Sequence, residues 1–142
     1  LPAEAAAILT TAQESQLPIL ARLPLGIEKD VALAALGAGV HAVVIGPPRG
    51  SLLRARGEII SGRLYGPGIF PLALHELEKQ LHDLDVPVIL GCGLFSVEHV
   101  HAAFMTGAAG IQLDTILWVD PDAILHAVHG WMDIQPTNEA QT

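Results

Sequence analysis

Apolar positions fall in short runs, and helical and extended periodicities take turns along the chain. Pro2 to Glu14 is alanine-rich, with Ile8 and Leu9 apolar and Pro2 suited to a first turn, and predicts a helix. Pro18-Ile19-Leu20-Ala21-Arg22-Leu23 predicts a short buried strand. Glu28 to Leu36 predicts a second helix, ended near Gly37 and Gly39. His41-Ala42-Val43-Val44-Ile45 is apolar and β-branched, hence a strand, and Gly46-Pro47-Pro48 ends it. A long loop then runs from Pro47 to Phe70.

After Pro71, Leu74, Leu77, Leu81 and Leu84 lie on one helical stripe. Val86-Pro87-Val88-Ile89-Leu90 predicts a strand that ends in Gly91-Cys92-Gly93. Ser96 suits the cap of the next helix, with Val97, Val100 and Phe104 turned inward. Gly110-Ile111-Gln112-Leu113 predicts a further strand. Asp120 and Pro121 open a last helix packed through Ile124, Val128 and Trp131, and residues from Ile134 onward form a polar tail. The domain therefore spans 1–133, with 134–142 outside it.

Strands written as continuous apolar runs and separated by helices point to an α/β protein, a parallel sheet covered by helices. An internal echo refines this. Leu17-Pro18-Ile19-Leu20 recurs as Val86-Pro87-Val88-Ile89, and the helix before Gly39 recurs before Gly107, about 68 residues on. A repeat of two strand–helix units fits a (β/α) barrel. A complete barrel takes roughly 250 residues, and this chain has 142. The expectation is half of a (β/α)8 barrel, four parallel strand–helix units preceded by an N-terminal helix. Such a half leaves two open edges and an uncovered inner face. It calls for a partner, either the missing N-terminal half-barrel or a second copy in a homo-oligomer.

Composition narrows the function. Hydrophobic residues make up 51% and charged residues 15%, which suits a buried core. A net charge of −8 argues against nucleic-acid binding, which needs a basic face. No apolar run approaches the roughly 18 residues of a membrane span. The lone Cys92 cannot form an internal disulfide, which fits a cytoplasmic location. No signal segment opens the chain, and its start at Leu1 reads as a processed product or an excised piece.

The segment Ser61-Gly62-Arg63-Leu64-Tyr65-Gly66-Pro67-Gly68-Ile69-Phe70-Pro71-Leu72-Ala73-Leu74 is a glycine- and proline-punctuated loop leading into a helix. It resembles the Gly-Gly-Leu-Ser-Gly segment of the dihydroorotate dehydrogenase family. The run from Val86 through Gly93, then Gly107-Ala108, Gln112, Thr115 and Asp120-Pro121, resembles the closing strands of that barrel. Together these cover nearly the whole chain as the C-terminal half of the family's FMN-dependent fold. The resemblance implies an FMN-dependent oxidoreductase whose catalytic base lies on the other half. It implies that Gly93 and Thr115 cradle the flavin phosphate, that Gly62 lies near the flavin ring, and that Arg22 lies at its pyrimidine end.

Four positions depart from the family. Its lysine falls at Arg22, which keeps the charge but spreads it over a planar fork. Its substrate-binding asparagine falls at Gly46, its paired glycines become Cys92-Gly93, and the glycine before the cradle threonine becomes Asp114. A carboxylate there repels a phosphate dianion unless a cation intervenes. The alternative is a non-catalytic barrel-derived domain that has lost flavin and substrate binding and serves in assembly or protein interaction.

Other side chains leave choices open. Arg22 suits an anion ligand or an ion-pair partner for Asp114 or another carboxylate, and two copies joined edge to edge would also bring it towards Asp114. Arg49, Arg54, Arg56 and Arg63 are four of seven basic residues and lie in the long loop, where they suit a small anionic ligand or simple solvation. Cys92 reads as a small apolar residue or a reactive thiol. His126 and His129 have metal-compatible spacing without an evident third ligand. His99 and His101 read as surface residues, and Trp118 and Trp131 as packing residues.

Overall fold

Strand and helix alternate as the side-chain pattern dictates. The computed structural model describes residues 2–27 and 29–122, together with 126 and 129. The helices are α1 (Pro2–Gln13), α2 (Lys29–Gly37), α3 (Phe70–Asp83), α4 (Val97–Thr106) and the single turn α5 (Ile116–Val119). The strands are β1 (Leu20–Pro24), β2 (Ala42–Gly46), β3 (Arg49–Leu53), β4 (Ile59–Arg63), β5 (Val88–Leu90) and β6 (Gly110–Ile111). The expected helix start at Glu28, a last helix built on Ile124, Val128 and Trp131, and the tail from Ile134 lie outside the described residues.

β1, β2, β5 and β6 form one parallel sheet in that order, which leaves β1 and β6 as its two edges. The fold is α/β, half of a (β/α)8 barrel preceded by an N-terminal helix. β5 begins at Val88 because Pro87 has no N–H to give the ladder, although its carbonyl still accepts from Val43 at 3.0 Å.

The pleat divides the sheet into two faces. Val43, Ile45, Val88 and Leu90 turn toward the helices and are fully buried. Ile45, Val88 and Leu90 meet Phe70, Ala73 and Leu77 of α3 and Val100 and Ala103 of α4 in one core cluster. Ala21, Leu23 and Val43 meet Ala32 and Ala35 of α2 in a second, which Leu9 of α1 joins from outside. By the same alternation Leu20, Arg22, Val44, Gly46, Ile89, Gly91 and Gln112 belong to the other face, the interior side of a barrel. No helix among the described residues packs there.

The repeat seen in the sequence is structural. β5 begins 68 residues after β1, from Leu20 to Val88, and α4 begins 68 residues after α2, from Lys29 to Val97. Each of these helices is followed by a glycine of positive φ, Gly39 at 75° and Gly107 at 116°.

The stretch from Pro47 to Phe70 is not a loop throughout. β3 and β4 pair antiparallel as a hairpin of their own, with Arg49 opposite Arg63, Gly50 opposite Gly62, Ser51 opposite Ser61, Leu52 opposite Ile60 and Leu53 opposite Ile59. The two strands are mirror images in sequence, so every rung joins like to like. The tip, turned through Gly57 at φ 82°, leaves Leu53 at 73% and Ile59 at 72% exposure.

Candidate functional site

The carboxyl ends of the four parallel strands form one mouth, and Arg22 crosses it. Its side chain leaves β1 on the interior face and lies over Gly46, where a Cβ would stand 3.1 Å from Nε and 3.2 Å from Cγ. The guanidinium Nη2 then donates to the Gly91 carbonyl at 3.4 Å and to Asp114 Oδ2 at 3.1 Å. Gly91 is equally constrained. A Cβ on it would meet Val44 Cγ1 at 2.9 Å and the Ile45 carbonyl at 3.0 Å. Two glycines thus keep the strand ends low enough for one arginine to span the sheet from edge to edge. The pair forms within one chain, so it needs no second copy.

Gly93 and Thr115 line one pocket with Tyr65, Gly91, Cys92, Gln112 and Asp114. That pocket holds about 10 Å³, the room of about one water. Gly93 has a packing reason for being glycine. Its φ is 77°, and a Cβ would come within 2.7 Å of Phe70 N and Cα at the start of α3. Gly62 stands apart from both. It lies in β4, exposed, with nothing within 4 Å of a Cβ built on it.

Cys92 is buried beneath the mouth. Desolvation pushes its thiol up to about 11, against a smaller opposing pull from Arg22, so at neutral pH it is a neutral thiol. His99 is not a surface residue. Its ring stacks on Phe70 with centroids 4.0 Å apart, and its Nδ1 accepts from the Phe95 N–H at 3.2 Å. Trp118 is 84% exposed, so it is not a buried packing residue within the described chain. His126 lines a cavity of about 250 Å³ with Val97, Val100, Leu113 and Ile116. Among the described residues no group of three His, Cys, Asp or Glu is placed to hold a metal. No helix of the described residues is long and apolar enough to cross a membrane.

A second pocket, of about 130 Å³, opens on the other side of Arg22. Its walls are Arg22, Pro24, Gly46, Pro47, Arg49 and Arg63. The sequence put Arg49 and Arg63 in the same loop as Arg54 and Arg56 and could not separate them. Pairing of β3 with β4 does so, placing Arg49 and Arg63 at the hairpin base and Arg54 and Arg56 at its turn. The mirrored order of residues 49–53 and 59–63 about the turn between them was the available signal.

No family model matches the chain. A dihydroorotate dehydrogenase B (NAD(+)) catalytic subunit from Caldicellulosiruptor bescii is 26% identical over 73 residues, which is 51% of this chain and 24% of that protein. Two structures of dihydroorotate dehydrogenase from Eimeria tenella align over 94% of this chain. The ferulenol complex gives a TM-score of 0.70 at 12% identity, and the ligand-free form 0.71 at 13%. The Amycolatopsis orientalis BexX/CysO complex aligns over the whole chain, with a TM-score of 0.59 at 18% identity. This chain spans 44%, 45% and 55% of those three chains. Its fold is that of dihydroorotate dehydrogenase-like barrels, present here as about half of one.

Proposed function

We propose that this chain is the C-terminal half of a dihydroorotate dehydrogenase-like barrel, that it works joined to a complementary half, and that its mouth no longer takes flavin. The observation that carries the last point is the Arg22–Asp114 ion pair at 3.1 Å. Arg22 and Asp114 are two of the four departures from the family, and they meet each other. Their link crosses the strand ends where a flavin would lie. The carboxylate lines the Gly93–Thr115 pocket, which has the room of about one water and not of a phosphate. The residues present therefore do not fit FMN in this arrangement.

The need for a partner half is supported by the open edges β1 and β6 and by the exposed Leu20 and Trp118 beside them. Assembly through these edges is the role that this reading assigns to the chain.

Similarity to a catalytic subunit favours a second reading, a working FMN-dependent oxidoreductase. In it Gly62, Gly93 and Thr115 hold the flavin and Arg22 attends its ring. Titrating FMN into the full-length protein decides between the two. The first reading expects a colourless protein that leaves flavin fluorescence unchanged, and saturable binding by Arg22→Lys combined with Asp114→Gly. A yellow purified protein, or saturable FMN binding by the unaltered chain, would overturn it.

A further inference from the structure

We propose that the base of the hairpin and the end of β1 form a binding site for a compact dianion, held by Arg22, Arg49 and Arg63. The backbone register brings the last two together. The Leu64 N–H donates to the Pro48 carbonyl at 2.9 Å, so the neighbouring rung, Arg49 with Arg63, is a non-hydrogen-bonded one, where opposed side chains stand closest. Ser51 and Ser61, on the same face two rungs on, show that closeness directly, with their hydroxyls 2.8 Å apart.

Two arginines in that relation repel each other, and like charges directly opposite weaken a strand pair. Among the described residues the ion pairs are those of Arg22, Lys29 and Lys79, and none relieves Arg49 or Arg63. Arg22 brings a third positive charge to the same pocket, and Asp114 offsets one. Three positive charges and one negative leave a balance of two.

The ligand class follows from that balance and from the donors. Guanidinium forks bind oxyanions in pairs of parallel hydrogen bonds, which suits a phosphate monoester or two neighbouring carboxylates. Pro24 and Pro47 supply apolar wall without an N–H. About 130 Å³ admits a phosphate-sized group, in contrast to the Gly93–Thr115 pocket. A nucleic-acid backbone is a poor occupant, because a chain of net charge −8 repels it. Arg54 lies five residues beyond Arg49 along the hairpin, roughly 17 Å away at 3.4 Å per residue, with Arg56 beyond it at the turn, and neither takes part.

The site shares Arg22 with the flavin reading, but the two ligands are read separately. Flavin is read in its visible bands, and the dianion by heat of binding. The experiment titrates inorganic phosphate and, separately, succinate into the full-length protein by calorimetry at low ionic strength. Saturable binding of phosphate alone assigns a phosphate ligand, and of succinate alone a dicarboxylate; either supports the site. Arg49→Ala with Arg63→Ala weakens binding about tenfold or more, as expected for loss of two charge-assisted contacts. Arg54→Ala with Arg56→Ala stays within about twofold of the parent protein. Asp114→Asn, which removes the competing carboxylate, tightens binding. The exposed single variants Arg49→Gln and Arg63→Gln guard against a misfolded double variant, and each weakens binding about threefold. Three results would overturn the proposal. They are saturation by neither anion, equal losses at the base and at the turn, and unchanged affinity in both single variants.

Discussion

Arg22, on one edge strand of the sheet, donates to Asp114, just beyond the other edge strand, at 3.1 Å. The guanidinium reaches across two intervening strands, and Gly46 and Gly91 beneath it have no side chain to lift it. Both partners keep about a third of their side-chain surface in water, 31% and 36%, so solvent screens the pair. A double-mutant cycle with Arg22→Met and Asp114→Asn is expected to give a coupling of about 0.5–1 kcal/mol in chemical denaturation. Strict additivity would mean that the link adds nothing to stability.

Gly93 and Gly62 are expected to behave differently when each becomes alanine. Gly93→Ala combines a left-handed backbone with a clash against the start of α3 and should cost about 1–3 kcal/mol. Gly62→Ala meets open space and should change the folding free energy by no more than about 0.5–1 kcal/mol. Thermal denaturation of the two variants provides the comparison. Equal losses would show that the packing at Phe70 does not govern position 93.

Cys92 should resist alkylation at pH 8 in the folded protein and react readily once denatured, because burial holds its thiol pKa at about 11. The same burial makes stability depend on pH. A folded pKa raised above the unfolded value, near 8.5, contributes stability that is present below about pH 8.5 and is lost as pH rises through about 11. The decline is expected on the order of 1–3 kcal/mol, and Cys92→Ala should lack it. Parallel curves for the two proteins would rule out the thiol as the cause.

Ser96 caps α4, accepting from the His99 N–H at 3.3 Å. Its hydroxyl is also the main reason that the Glu98 carboxyl is held below the usual range, followed by a backbone hydrogen bond. Ser96→Ala should therefore cost about 1 kcal/mol and raise the Glu98 pKa, which NMR titration reads residue by residue. A depressed carboxylate contributes stability above its unfolded pKa, near 4.3, that is lost as pH falls through the folded value. An unmoved Glu98 titration would separate the cap from the carboxylate.

Lys29 and Asp83 join α2 to α3 at 3.0 Å, and this hydrogen bond is the largest cause of the lowered Asp83 pKa. Lys29→Ala should return Asp83 toward its ordinary value in the same NMR titration. Both groups face solvent, so the change in folding free energy is expected to be small.

The parallel sheet was legible because β2 and β5 are apolar on both faces and Ser96, the cap of α4, stands in the sequence. Val43 to Ile45 and Val88 to Leu90 could be placed without knowing their neighbours. The hairpin was not legible on those terms. Residues 49–63 are exposed almost throughout, and their glycines, serines and arginines resemble a loop in composition. Only the mirrored order, which pairs Arg49 with Arg63 and Ser51 with Ser61, reveals a strand pair. For the mouth, Arg22 and Asp114 stood out as unusual residues, and their contact was one of the choices left open. That they meet inside one chain depends on glycines whose role appears only in three dimensions. His99 was misplaced because its stacking partner, Phe70, is distant in sequence.

The 68-residue repeat makes β1 and β5 counterparts, and likewise β2 and β6. Inside the chain β2 lies beside β5, so the protein already contains a worked example of the junction that its two edges lack. A strand fit to extend the sheet beyond β6 has the pattern of β5, which is also the pattern of β1. One fit to precede β1 has the pattern of β2, which is that of β6. The two edges are therefore complementary to each other. The pairing of Val43–Ile45 with Val88–Leu90 is thus a seam between the two repeat units that the described chain itself displays.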